Sequence, residues 1–108
     1  MAKAAMIMSG FDPQPESPPR PRFELGRTYA TAAVTKWAEC QELDLSELMW
    51  RHHCGDWGDL DAEDKQANED ALEHGSRIFS CYLIADRKIY AITEADRAST
   101  TLLFSEEY

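Results

Sequence analysis

Apolar residues recur along the chain in two rhythms, and the change between them falls near Gly75. Before it the spacing is three and four, as a helix face requires. Thr35 caps a first helix with Trp37, Ala38 and Leu43 turned inward, and Asp44 or Ser46 starts a second through Leu45, Leu48, Met49 and His52. Two glycines in Gly55-Asp56-Trp57-Gly58-Asp59-Leu60-Asp61 break the period, and Asp61, followed by Asp64 three residues later, caps a third helix over residues 62–74. Leu60, Ala67, Ala71 and Leu72 give that helix a narrow apolar stripe, and Gly75 ends it.

After Gly75 the apolar residues come in short β-branched and aromatic runs. Residues 77–84 and 88–93 flank Ala85-Asp86-Arg87 as a hairpin, and residues 100–104 make a third strand beyond the loop at 94–99. Residues 26–32 mix β-branched and small residues, as a short fourth strand would, although their alanines weaken the pattern. The expected fold is α+β: two or three short helices on one face of a small antiparallel sheet, built from a C-terminal three-stranded meander and this N-terminal strand.

All five prolines fall in residues 13–21, where they remove backbone donors and forbid helix, so residues 1–22 are expected to form a mobile, polyproline-like arm. Pro18-Pro19-Arg20-Pro21 also has the composition of a ligand for an aromatic groove. Residues 23–108 then make a single domain, since 108 residues allow one core and not two.

Charge changes this picture more than composition does. The chain carries −9, and residues 56–75 hold eight acids against Lys65 alone, so −7 of the total lies in one fifth of the length. Such a surface repels nucleic acid phosphates and attracts basic proteins. The first eight residues form an apolar run too short for a signal core or a membrane span, and an odd cysteine count argues against a disulfide framework. A cytoplasmic setting in a bacterial host, no membrane contact and reduced thiols at Cys40, Cys54 and Cys81 are the expectations.

Candidate chemistry is sparse. His52, His53, Cys54, Cys40 and His74 include zinc-type ligands, but no C-x-x-C or H-x-x-x-H spacing groups them, and adjacent helical histidines point about 100° apart. No glycine-rich phosphate loop follows a strand. No metal, cofactor or enzymatic activity is therefore expected. The loop bearing Glu94, Asp96 and Arg97 could hold paired carboxylates for acid–base work, but a turn with an internal Asp96–Arg97 or Glu94–Arg97 charge pair is the favoured reading. Two readings of the acidic segment remain. In one, Asp59, Asp61, Glu63 and Asp64 complement the helix N-terminus and the rest are solvated. In the other, Asp56, Asp59, Glu63, Glu69, Asp70 and Glu73, with Trp57 beside them, form a partner-binding surface that imitates a nucleic acid backbone.

The strings Gly55-Asp56-Trp57-Gly58-Asp59-Leu60 and Ile92-Thr93-Glu94-Ala95-Asp96-Arg97, with Gly75-x-Arg77, Ser80-x-Tyr82 and Glu106-Glu107-Tyr108, resemble a family of small bacterial proteins carried on plasmids and other mobile elements. The resemblance spans residues 26–108. Some members carry the label of a type I restriction–modification subunit, but this chain has neither the nucleotide-binding sheet nor the catalytic loop of a methyltransferase. Taken with the −7 segment and the lack of a readable active site, the resemblance leads to the expectation of an acidic, non-catalytic inhibitor of a host nucleic-acid-binding defence complex, of anti-CRISPR or anti-restriction type. The alternative is a plasmid or phage accessory domain that binds proteins without charge mimicry, through Trp57, Asp96 and Arg97.

Overall fold

The computed structural model describes residues 19–108. Their elements run β1 (Arg27–Ala30), α1 (Ala32–Gln41), α2 (Leu45–His53), α3 (Ala62–His74), β2 (Ile78–Ile84), β3 (Arg87–Thr93) and β4 (Ser99–Phe104), with a final 3-10 turn at Ser105–Glu107. The α+β expectation holds. The sheet order is β1-β4-β3-β2, and the C-terminal meander is antiparallel as expected, whereas β1 joins β4 in parallel, with Tyr29 beside Thr101. The sheet is therefore mixed. The link from β1 to its neighbour passes through all three helices, which is the long crossover a parallel pair requires.

Most of the proline-rich segment lies outside the described residues. Arg22 belongs to the folded domain: its backbone N–H donates to His53 O at 2.8 Å and its guanidinium reaches Glu69.

Helix starts follow side-chain caps. Thr31, not Thr35, caps α1: its hydroxyl accepts from Val34 N, and Thr35 N donates to Thr31 O at 2.9 Å, which puts Thr35 inside the helix. The earlier start turns Val34 and Ala38 inward. Asp44 caps α2 by accepting from Ser46 N at 3.0 Å, and Asp61 caps α3 by accepting from Asp64 N at 2.8 Å. Gly75, at φ 75°, closes α3 in the left-handed conformation.

In α3 the buried positions are Asn68 and Ala71, while Ala67, expected on the apolar stripe, is exposed. The substitution of an amide for an apolar residue has a physical reason. Asn68 Oδ1 accepts from Phe79 N at 3.0 Å and its Nδ2 donates to Phe79 O at 2.7 Å, so one side chain pairs with the β2 edge as a neighbouring strand would.

The rest of that edge is sealed in the same way. Cys81 N donates to Trp57 O at 3.1 Å, Asp59 N donates to Cys81 O at 2.6 Å, and Asp59 Oδ2 accepts from Leu83 N at 2.8 Å. Every outward-facing donor of β2 thus has a partner, which removes the usual liability of an edge strand. Gly58 lies between these contacts at φ 80°, where an added Cβ would collide with the Cys81 carbonyl and the Tyr82 ring.

Two apolar clusters form beneath the sheet. Val34 and Leu48 meet Tyr82, Ile89, Ala91, Leu102 and Phe104 in the larger one, and Trp57, Ala71 and Ile78 make the smaller. Alternation along the strands gives Phe79, Cys81, Leu83, Tyr90, Ile92 and Leu103 to the other face. Side chains of the large cluster contribute about 1.5–3 kcal/mol each when fully buried.

Candidate functional site

The seven residues expected at a partner surface divide into two groups. Asp56, Trp57, Asp59 and Glu69 are occupied by the fold. Trp57 is 5% exposed, and its indole N–H donates to Glu69 Oε2 at 3.0 Å. Arg22 closes the same carboxylate with two parallel bonds, Nη2 to Oε1 at 2.8 Å and Nη1 to Oε2 at 3.0 Å. These bonds, from Arg22 and then Trp57, hold the Glu69 carboxyl below its ordinary range. Trp57 therefore offers no exposed contact, and Glu69 offers no free charge.

Asp56 accepts from Gly58 N at 3.1 Å through one oxygen and from Arg51 Nε at 2.7 Å through the other. Partial burial pushes its pKa up, but the Arg51 bond and charge outweigh it and the net shift is downward. Asp59 is fixed on the β2 edge. The string that carried the family resemblance is thus the device that turns the chain from α2 and seals the sheet.

The second group is Glu63, Asp70 and Glu73. With Gln66 they recur at intervals of three, four and three on α3, opposite Asn68 and Ala71, and all four are exposed. Ten helical rises separate the first from the last, a row of about 15 Å. Gln66 Nε2 donates to Asp70 Oδ1 at 3.1 Å, and among the described residues no Lys or Arg forms an ion pair with any of the three.

Helix stability accounts for Glu63, in the first turn near the positive end of the dipole, but not for the other two. Glu73 lies in the last turn, where an acid is disfavoured by about 0.3–1 kcal/mol. Asp70, three residues before it, adds like-charge repulsion. Two acids held against local preference, with no Lys or Arg among the described residues ion-paired to either, form the part of the acidic segment that folding does not explain.

The Glu94, Asp96 and Arg97 loop is built into the fold as well. Arg97, at φ 60°, donates to the carbonyls of Ala71, Ser76, Glu94 and Ala95 at 2.7–3.1 Å and thereby ties the loop to the end of α3. Asp96 Oδ1 accepts from Ala98 N at 2.9 Å, and Glu94 pairs with Arg77 at 3.2 Å. Glu94 and Asp96 line an open depression, not a deep pocket. Arg97 thus spends its guanidinium on backbone carbonyls, whereas Asp96 is exposed and bonds through Oδ1 alone.

Among the described residues no group of three or more His, Cys, Asp or Glu side chains is placed to hold a metal ion. Cys40 is exposed, Cys54 half-buried and Cys81 buried, all as free thiols. Burial pushes the Cys81 thiol up. Among the same residues no helix is long and apolar enough to cross a membrane.

One polar constellation escaped the sequence. His52, fully buried, lies 2.6 Å from Ser80 Oγ through Nδ1 and 2.8 Å from Thr93 Oγ1 through Nε2. Thr93 Oγ1 is 2.6 Å from Thr100 Oγ1, which donates to Leu25 O at 2.8 Å. The direction of the chain follows from its end. A carbonyl only accepts, so Thr100 donates to it and accepts from Thr93, and Thr93 in turn accepts from His52 Nε2–H. Nδ1 is then the acceptor, with Ser80 as donor.

A hydroxyl aligned on an imidazole is the arrangement of an activated nucleophile. Ser80 and His52 are both 0% exposed, however, so no substrate reaches them. Desolvation, then the neighbouring His53, lower the His52 pKa to about 4. The residue types were visible, but the contacts span 28 and 41 positions and no local spacing announces them.

No family model, no curated protein and no solved structure matches the chain.

Proposed function

We propose that the protein is a non-catalytic acidic binding protein that occupies a basic, nucleic-acid-binding surface of a partner protein, using the α3 row of Glu63, Asp70 and Glu73. The observation that carries this reading is the pair Asp70 and Glu73: like charges three residues apart towards the unfavourable end of α3, with no Lys or Arg among the described residues ion-paired to either. A charge arrangement that costs stability is retained where it serves contact with an opposite charge. The resemblance to mobile-element proteins directs the reading to a host defence complex of CRISPR or restriction type as the partner.

The exposed carboxylates of α3 are suited to pairing with basic side chains. Charge reversal of Glu63, Asp70 and Glu73 to Lys tests the reading. The triple variant keeps the fold, because none of the three contributes a structural bond to the core, and it loses the partner. Retained binding by a folded triple variant removes the proposal.

A further inference from the structure

The helices cover one face of the sheet and leave the other open. Three of the four large hydrophobic residues that stand exposed are on or against that open face: Tyr29 at 49%, Leu83 at 55% and Tyr108 at 68%. Tyr108 packs on Phe79 and Tyr90, with ring centroids 5.8 and 5.9 Å away, and Phe79 and Tyr90 are 4.5 Å from each other. Burying such rings is worth more than any surface ion pair in the chain, so their exposure is unexplained by folding alone.

Beside these rings runs a cleft of about 480 Å³. Phe79, Tyr90 and Leu83 contribute apolar surface, Asp59, Asp61 and Asp64 form one wall, and Lys88 stands at the other. Three carboxylates against one ammonium leave the lining two charges negative. Lys88 forms no ion pair with them. Asp61 commits one oxygen to capping Asp64 N and keeps its second, and Asp64 forms no side-chain bond to a donor.

The geometry points to this face as a docking surface for a protein segment that carries an arginine between apolar residues. The guanidinium enters the cleft, stacks over the Phe79 and Tyr90 rings, and pairs with Asp61 and Asp64, while the flanking apolar side chains cover Leu83 and the outer rings. Charge complementarity selects this occupant. An acidic wall over aromatic rings favours a planar cation over a neutral or acidic side chain. A second copy brings another −9 to the contact and is the poorer fit. The surface is separate from the α3 row, since Asp61 and Asp64 precede Gln66, Asp70 and Glu73 and line the cleft on the sheet side.

The test is a titration of the full, 15N-labelled chain with acetyl-Leu-Arg-Leu-amide, followed by NMR, alongside the same peptide with neutral citrulline in place of arginine. The proposal expects shifts centred on Leu60, Asp64, Phe79, Leu83 and Tyr90, with the citrulline peptide about tenfold weaker. Asp61→Asn with Asp64→Asn is expected to remove that difference while preserving the helix, because asparagine also caps. Equal binding of the two peptides overturns the proposal, as does an absence of shifts. Shifts centred on Gln66–Glu73 overturn it in favour of the α3 row, and concentration-dependent dimerisation through the same rings overturns it in favour of a second copy.

Discussion

The indole N–H of Trp57 donates to Glu69 at 3.0 Å, and this bond divides the acidic segment into two kinds of carboxylate. Glu69 is the acceptor that lets a tryptophan be buried, and Arg22 completes its coordination. Replacing Trp57 by Ala removes a large side chain from the smaller core and is expected to cost about 3–5 kcal/mol. Glu69→Ala strands the indole donor and is expected to cost about 1–3 kcal/mol. Arg22→Ala costs less than about 1 kcal/mol, because that ion pair is 40% exposed on each side within a point. Urea unfolding of the three variants gives the order, and an Arg22→Ala loss equal to that of Trp57→Ala contradicts it.

Asn68 replaces a neighbouring strand, so its removal acts on the sheet edge and not only on α3. Asn68→Ala leaves the Phe79 N–H and C=O unpaired and is expected to destabilise by about 2–3 kcal/mol. The exposed edge should also promote association, which light scattering detects on a concentration series.

His52 makes stability depend on pH below neutrality, ahead of the carboxylates that Arg22 and Arg51 hold at lower pH. Its pKa falls from about 6.5 unfolded to about 4 folded, because burial disfavours the charged ring. Between these values the unfolded chain binds the proton and the folded chain does not, so stability is complete above pH 6.5 and declines as pH falls towards 4. The loss approaches about 3 kcal/mol. Urea midpoints at pH 7.5 and 4.5 measure it, and the slope should shrink in a folded variant lacking His52, such as His52→Gln.

The β2–β3 hairpin turns through Ala85 at φ 49° and Asp86 at φ 65°. Both values are left-handed, as a two-residue turn of this twist requires, and alanine suits the first poorly. Ala85→Asn with Asp86→Gly is expected to stabilise the protein by about 1 kcal/mol, read as a higher urea midpoint.

The physical reasons for what was legible in the sequence differ from element to element. The α3 helix over residues 62–74 is legible because a capping aspartate and a terminal glycine bracket it locally. The parallel placement of β1 was not legible, since its partner is some seventy residues away and four residues carry little pattern. Thr35 looked like a cap because the alanines before it have no signature of their own, although alanine is the best helix former. Within the acidic segment, charge was visible but occupancy was not. Only the structure distinguishes Glu69, which is bonded to Trp57 and Arg22, from Asp70 next to it, which meets only Gln66.

The central claim is that Asp70 and Glu73, in one row with Glu63, are held for a basic partner and not for the fold. Affinity for a partner captured from bacterial lysate on the immobilised wild type, measured from about 50 to 200 mM salt for the wild type and for the Lys triple variant, tests it most directly. The account predicts that wild-type affinity falls steeply with salt, and that the triple variant binds at least about 100-fold more weakly while unfolding at an equal or higher urea concentration. Salt-insensitive binding that the triple variant retains would contradict it.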